Sequence, residues 1–265
     1  MGDRPVTGGA DAAGDVARVV LSGRPGGTTH REVGILATLP PALCLIGGLA
    51  VLCRVGVPHR TTVDLDVVTR GLAAQDRTLR RLATTVTDPS RYSFDDGVDL
   101  DVIEVAPESA RQVEEAFVAA GGPTDLELSV VAHTWAHDHA TMLDVVAVDE
   151  ATAEPLVVAT GRPVATTLGL VAMKLVVVPL RAGLRSEKRA SDLYDLGRLV
   201  ATGRLTAADL ETLPPHLRRV AVERLVDWFV DPVGRDRTYR SVRRFDDPML
   251  DLDDVADAVE ELTTA

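Results

Sequence analysis

The sequence predicts an α+β fold, a mixed sheet with flanking helices followed by a helical C-terminal module. Residues 63–69 (VDLDVVT) alternate with the two-residue period of a strand. Asp96-Gly97 lies between the apolar runs 91–94 and 98–105, the signal of a tight hairpin turn. After Val164 the strand-like segments stop, and long runs with helical spacing take over.

Taken in order, residues 1–15 are polar and glycine-rich and read as a disordered leader. Residues 31–39 form a short helix that Pro40-Pro41 ends, because proline cannot continue one. Residues 43–46 are a buried strand, Gly47-Gly48 a turn, and 49–55 a helix. Residues 75–86 have the spacing of an amphipathic helix. Residues 108–120 form another, stopped by Gly121-Gly122-Pro123, and 142–148 and 156–160 are further strands. Thr167–Leu180, Ser186–Thr202, 206–213, 215–229 and 252–262 are helices, with Pro215 suited to a first turn. The organisation that follows is a leader over 1–15, an α/β core over 16–165 and a helical module over 166–265.

The 265 residues are 46% hydrophobic and 26% charged, which argues against wholesale disorder and against a fibrous repeat. No apolar run reaches the ~20 residues of a membrane helix, so no membrane partner is expected. The N-terminus lacks the apolar stretch of a signal peptide. The two cysteines, Cys44 and Cys53, sit in apolar stretches and read as reduced core residues of a cytoplasmic protein. A net charge of −12 gives bulk electrostatics no pull on nucleic acid, but the charges are segregated. Residues 233–244 hold five arginines, and residues 246–265 hold eight acidic residues. If 233–244 is helical, Arg237, Arg240 and Arg244 share one face. They would serve RNA phosphates or pair with the acidic tail.

The segment 43–70 carries most of the chemistry. On a strand, Asp64 and Asp66 point to one face about 7 Å apart. Two carboxylates side by side repel unless a cation lies between them. Mg²⁺, or Mn²⁺ in its place, takes oxygen ligands and favours one or two carboxylates plus substrate phosphates. Gly47-Gly48, at a helix N-terminus, offers backbone N–H groups and room for a phosphate. A metal and a phosphate cradle together equip a site for nucleotidyl transfer from an NTP. A third carboxylate would complete it. Asp101 in VDLDVIEV is the first choice, with Asp99 on the same face and Asp144 on another strand. Lys174 interrupts an otherwise apolar helix, where an unpartnered ammonium is costly. Asp192 lies four residues after Lys188, the spacing of a helical salt bridge. His133, His137 and His139 surround Trp135 without a cysteine or an HExxH motif, and read as a half-buried helix rather than a zinc site.

The ordered set GG…RxTxDLD (Gly47, Gly48, Arg60, Thr62, Asp64, Asp66), then a lysine-bearing helix and K-R-x-x-D-L-x-D-L from Lys188, resembles the AbiEii/MenT-type toxin nucleotidyltransferases of the DNA polymerase β-like superfamily. The resemblance covers about residues 43–200. It implies that Gly47 and Gly48 hold a triphosphate, that Asp64 and Asp66 bind Mg²⁺, that Lys174 grips the phosphates and that Asp192 completes the active site. It also implies an NTP substrate, an RNA 3′ end of the tRNA class as acceptor, a cognate antitoxin, and phosphorylation of Thr62 as a means of silencing. Two other functions share GG…DLD: adenylation of a small molecule such as an aminoglycoside, and a degenerate nucleotide-binding regulator. An RNA enzyme should carry a basic track to the carboxylates, which Arg181, Arg185, Lys188 and Arg189 would form.

Overall fold

The computed structural model describes residues 16–56, 64–95, 97–181, 186–245 and 250–264. The expected leader and the expectations for Arg60, Thr62 and Arg185 lie outside the described residues. Among the described residues eight strands build one sheet: β1 (Ala17–Gly23), β2 (Cys44–Ile46), β3 (Asp64–Thr69), β4 (Thr85–Asp88), β5 (Arg91–Ser93), β6 (Asp99–Glu104), β7 (Thr141–Asp149) and β8 (Pro155–Val164). Their order across the sheet is β1-β7-β8-β2-β3-β6-β5-β4. β2 runs antiparallel to β3 and parallel to β8, and β3 runs parallel to β6. The two-residue period sends Leu65, Val67, Leu100 and Val102 into the core and leaves Asp64, Asp66, Asp99 and Asp101 on the opposite face. β5 and β6, the strands on either side of the expected turn, pair antiparallel with Tyr92 opposite Leu100, and Asp96 itself lies outside the described residues.

The helices are α1 (Thr28–Thr38), α2 (Gly47–Val55), α3 (Leu72–Leu82), α4 (Ala110–Ala119), α5 (Asp125–Asp138), α6 (Thr167–Leu180), α7 (Ser186–Thr202), α8 (Ala207–Glu211), α9 (Pro215–Leu225), α10 (Pro232–Val242) and α11 (Leu252–Thr263). Capping boxes start α4 at Ser109/Gln112 and α5 at Thr124/Glu127. α6 is apolar nearly all round and accordingly buried, packed against α5, α7 and α2. Through α6 and α7 the helices after Val164 reach the same corner of the sheet as α2.

Several boundaries differ from the sequence expectation. The helix expected over 75–86 ends at Leu82, and Val86 pairs with Tyr92 as part of β4. The β-branched run Thr84–Thr87 fits a strand better than a helix. β1 had no expectation, because it is an edge strand whose partner β7 lies far along the chain. The helix expected over 215–229 divides into α9 and a π turn over Val226–Val230. Asp231 then caps α10 by accepting from the N–H groups of Val233 and Gly234. α10 ends at Val242, so Arg244 falls in a 3₁₀ turn and leaves the face of Arg237 and Arg240. Arg235 pairs with Asp253 of the acidic tail, and Arg240 with Asp236 of its own helix.

Among the described residues no helix is long and apolar enough to cross a membrane. Cys44 and Cys53 are free and buried, and burial pushes both thiols up to about 12.

Candidate active site

β2 ends at Ile46, directly opposite Asp66 on β3. The chain then turns at Gly47, whose φ is +68°, and enters α2. A side chain rarely adopts that φ, and a Cβ at Gly47 would lie 2.1 Å from Asp66 Oδ2. Conformation and space therefore both require glycine. The Gly47-Gly48 corner, with the N–H groups that open α2, is seated against the Asp66 carboxylate.

The strand register carries the acidic face outward from there. Asp64 stands opposite Asp99, and Asp66 opposite Asp101. Asp99 is engaged locally: it accepts from Ser93 Oγ at 2.6 Å and Arg91 Nη2 at 2.7 Å, and these bonds hold its carboxyl below the ordinary range. Asp144 lies on β7, where it accepts the Gly161 N–H at 2.8 Å. Of the three candidates for a third carboxylate, Asp101 is the one beside Asp66. Burial, then the charge of Asp101, pushes the Asp66 carboxyl up to about 6. Burial also raises Asp101, while Arg91 pulls it down. Two cations stand over this face at a looser distance. Arg91 Nη2 is 3.9 Å from Asp64 and its Nε 3.7 Å from Asp101, and Lys188 Nζ is 3.5 Å from Asp64.

The opposite wall comes from α6 and α7. Lys174 Nζ donates to Asp192 Oδ1 at 3.0 Å and to Asp195 Oδ2 at 2.7 Å. Arg181 Nη1 also donates to Asp192. The salt bridge that the spacing of Lys188 and Asp192 allows is not made. Asp192 faces inward to α6 and the buried ammonium, and Lys188 turns to Asp64. Asp195 was missed in the sequence, although its i,i+3 spacing from Asp192 puts both on one face of α7.

Between the walls lies a cavity of about 310 Å³, lined by Gly47, Gly48, Asp64, Asp66, Lys174, Arg181, Lys188 and Asp192, with His133 and several apolar side chains. Asp101 flanks Asp66 without lining the cavity. The donor set on the sheet side is oxygen only, and the carboxyls of Asp66 and Asp101 are raised chiefly by burial, the chemistry that suits a hard divalent cation. Among the described residues no trio of His, Cys, Asp and Glu is already drawn together as a metal cage. The fit is therefore one of charge and ligand type. The histidines do not form a zinc site either. His133 Nδ1 meets Ser129 O at 2.6 Å, His137 pairs with Asp138, and His139 stacks on Trp135 with ring centroids 4.1 Å apart.

The family described as nucleotidyl transferase AbiEii toxin, of a type IV TA system, matches residues 34–262. The chain belongs to the AbiEii family. No curated relative matches it. The AbiEii match takes in the sheet carboxylates, the Gly47-Gly48 corner and the helical wall with Lys174 and Asp192, so both sides of the cavity lie within it. The protein is a nucleotidyl transferase and the toxin of a type IV toxin–antitoxin system. An AbiEii transferase draws on an NTP and a divalent metal, the pair of ligands whose chemistry the two walls match.

Proposed function

We propose that this AbiEii toxin transfers a nucleotide from an NTP to the 3′ end of an RNA of the tRNA class, in an Mg²⁺-dependent reaction, in the cytoplasm, and under the control of a cognate antitoxin. Mn²⁺ would serve in place of Mg²⁺. The observation that carries the reading is the left-handed Gly47 corner seated on Asp66, in register with Asp101 and on the same face as Asp64. Asp64 and Asp66, backed by Asp101, would hold the ion, which neutralises triphosphate charge and favours ionisation of the attacking hydroxyl. The N–H groups opening α2 take phosphate oxygens. Lys174 and Arg181 supply positive charge from the facing wall, and Asp192 completes the site by holding both in place. The acceptor enters past Lys188 and Arg189, where Arg244 is tied to the start of α7 through the Glu187 carbonyl at 2.8 Å.

The test is incubation with total tRNA, Mg²⁺ and each labelled NTP in turn, with aminoglycosides replacing RNA in parallel tubes. Label on RNA 3′ ends that Asp64→Asn eliminates is the expected result. Label on the aminoglycoside alone would assign a small-molecule transferase instead. NTP binding with no transfer in either series would leave a nucleotide-binding regulator.

A further inference from the structure

His133 is the one ring in the cavity wall whose chemistry the phosphate and metal groups do not use. It sits on α5, only 9% exposed, and the cavity lining includes it. Its Nδ1 lies 2.6 Å from the Ser129 carbonyl, one turn earlier on the same helix. A carbonyl oxygen only accepts, so Nδ1 carries the proton and Nε2 keeps its lone pair. Burial, reinforced by the nearby Arg181, lowers the imidazole pKa and keeps the ring neutral. Among the described residues Nε2 makes no hydrogen bond. Nε2 is not one of the fully buried atoms left without a partner, so solvent reaches it, and a donor arriving in the cavity takes the place of that solvent.

The surroundings of His133 say what kind of donor. Leu170, Met173 and Val177 form one apolar stripe along α6, which packs on α5, and all three line the cavity beside His133. Ile103 lines it from the sheet, 39% exposed and two residues beyond Asp101 on the same strand face. The charged part of the cavity thus borders an apolar part that carries the neutral imidazole of His133. A triphosphate suits the first and a flat, largely apolar ring with a polar edge suits the second.

We propose that His133 Nε2 accepts a hydrogen bond from the nucleoside of the bound NTP, through a base N–H or a ribose O–H, and so determines which NTP the toxin takes. The proposal rests on the NTP site described above. The test measures equilibrium affinity rather than turnover, for the four NTPs and their 2′- and 3′-deoxy counterparts, on the wild type and on His133→Phe. Phe keeps an apolar ring and removes the acceptor, and a thermal melt reports whether the variant folds. The expected result is a ~3–10-fold weaker affinity for the preferred NTP, the value of one hydrogen bond. If a base N–H is the donor, preference among the four bases flattens. If a ribose hydroxyl is the donor, the ratio of ribo- to deoxynucleotide flattens instead. The wild type supplies an independent readout: the ¹⁵N resonance of His133 Nε2 should move on NTP binding as its lone pair becomes engaged. NTP binding with unchanged ratios and an unmoved Nε2 resonance overturns the role of His133 and leaves the transferase reading standing. A wild type that binds no NTP at all overturns both.

Discussion

The cavity has two acidic walls, and they are built on opposite electrostatic plans. On the sheet, Asp64, Asp66 and Asp101 are stacked by strand register, partly buried, and countered by Arg91 and Lys188 only at 3.5–3.9 Å. On the helices, Asp192 and Asp195 are buried, and Lys174 reaches them at 3.0 and 2.7 Å. Like charges crowded together with incomplete compensation call for a cation from outside. Acids and bases matched within a buried network hold their own cation in place. The difference teaches that a count of carboxylates does not define a metal site. What matters is whether the protein has already neutralised them.

Substitutions should separate the two walls cleanly. Asp64→Asn keeps the shape of the side chain and removes a charge of the proposed metal site. Nucleotide transfer should fall by at least ~10³-fold, while the thermal melt of the metal-free protein stays level or rises as repulsion is relieved. A variant that keeps most of its transfer activity would remove Asp64 from the site.

Asp195→Ala should do the reverse and act first on stability. It leaves a buried ammonium short of a partner, at a cost of about 3–5 kcal/mol, read by urea denaturation. Adding Lys174→Met should restore most of that loss while NTP binding stays weak. A double variant no more stable than Asp195→Ala alone would show that Lys174 and Asp195 are not coupled.

The pH dependence distinguishes the walls again. Asp66 titrates at about 6 in the folded chain against an ordinary value of 3.8, raised chiefly by burial. The folded state therefore binds that proton more tightly than the unfolded one. The stability contributed by the protonated carboxyl is complete below the ordinary value and is lost as pH rises through about 6. Metal-free protein should lose melting temperature across this window, and Mg²⁺ should restore it at the upper end, where the carboxylate is free to bind. A melt flat in pH with and without Mg²⁺ would contradict the placement of Asp66.

The smallest effect belongs to the loose cations. The Arg91 side chain is 38% exposed, so Arg91→Ala should change stability by less than about 1 kcal/mol. Because it removes a charge that competes at the acidic face, Mn²⁺ titration should show tighter binding. Weaker Mn²⁺ binding would mean that Arg91 orients the carboxylates rather than competing for them.

Local pattern was enough to place β3, β6, α6 and α7 and to put Asp64, Asp66 and Asp101 on one strand face, because alternation and helical spacing are properties of consecutive residues. It was not enough at β4, where a threonine-rich segment was absorbed into the preceding helix, or at β1, whose existence depends on a distant partner. The same division runs through the site. Gly47, Gly48, Lys174 and Asp192 stood out by residue type in an unusual context, an ammonium in an apolar helix or a double glycine between strand and helix. Which of Asp99, Asp101 and Asp144 flanks Asp66 had no local signature.

By itself, then, the sequence determined the fold class, the glycine corner, the paired strand carboxylates and the lysine helix, since each is written in near neighbours along the chain. Only the tertiary structure decided that Asp99 is occupied by Arg91 and Ser93, that Lys174 is held by Asp195 as well as Asp192, that Lys188 crosses to Asp64, and that His133 in the cavity wall turns its Nδ1 to the Ser129 carbonyl. The physical reason is that hydrogen bonds and ion pairs form within a few ångströms of space. Elements separated by tens of residues, such as β3, α5 and α7, come within that range only when the sheet order and helix packing put them side by side.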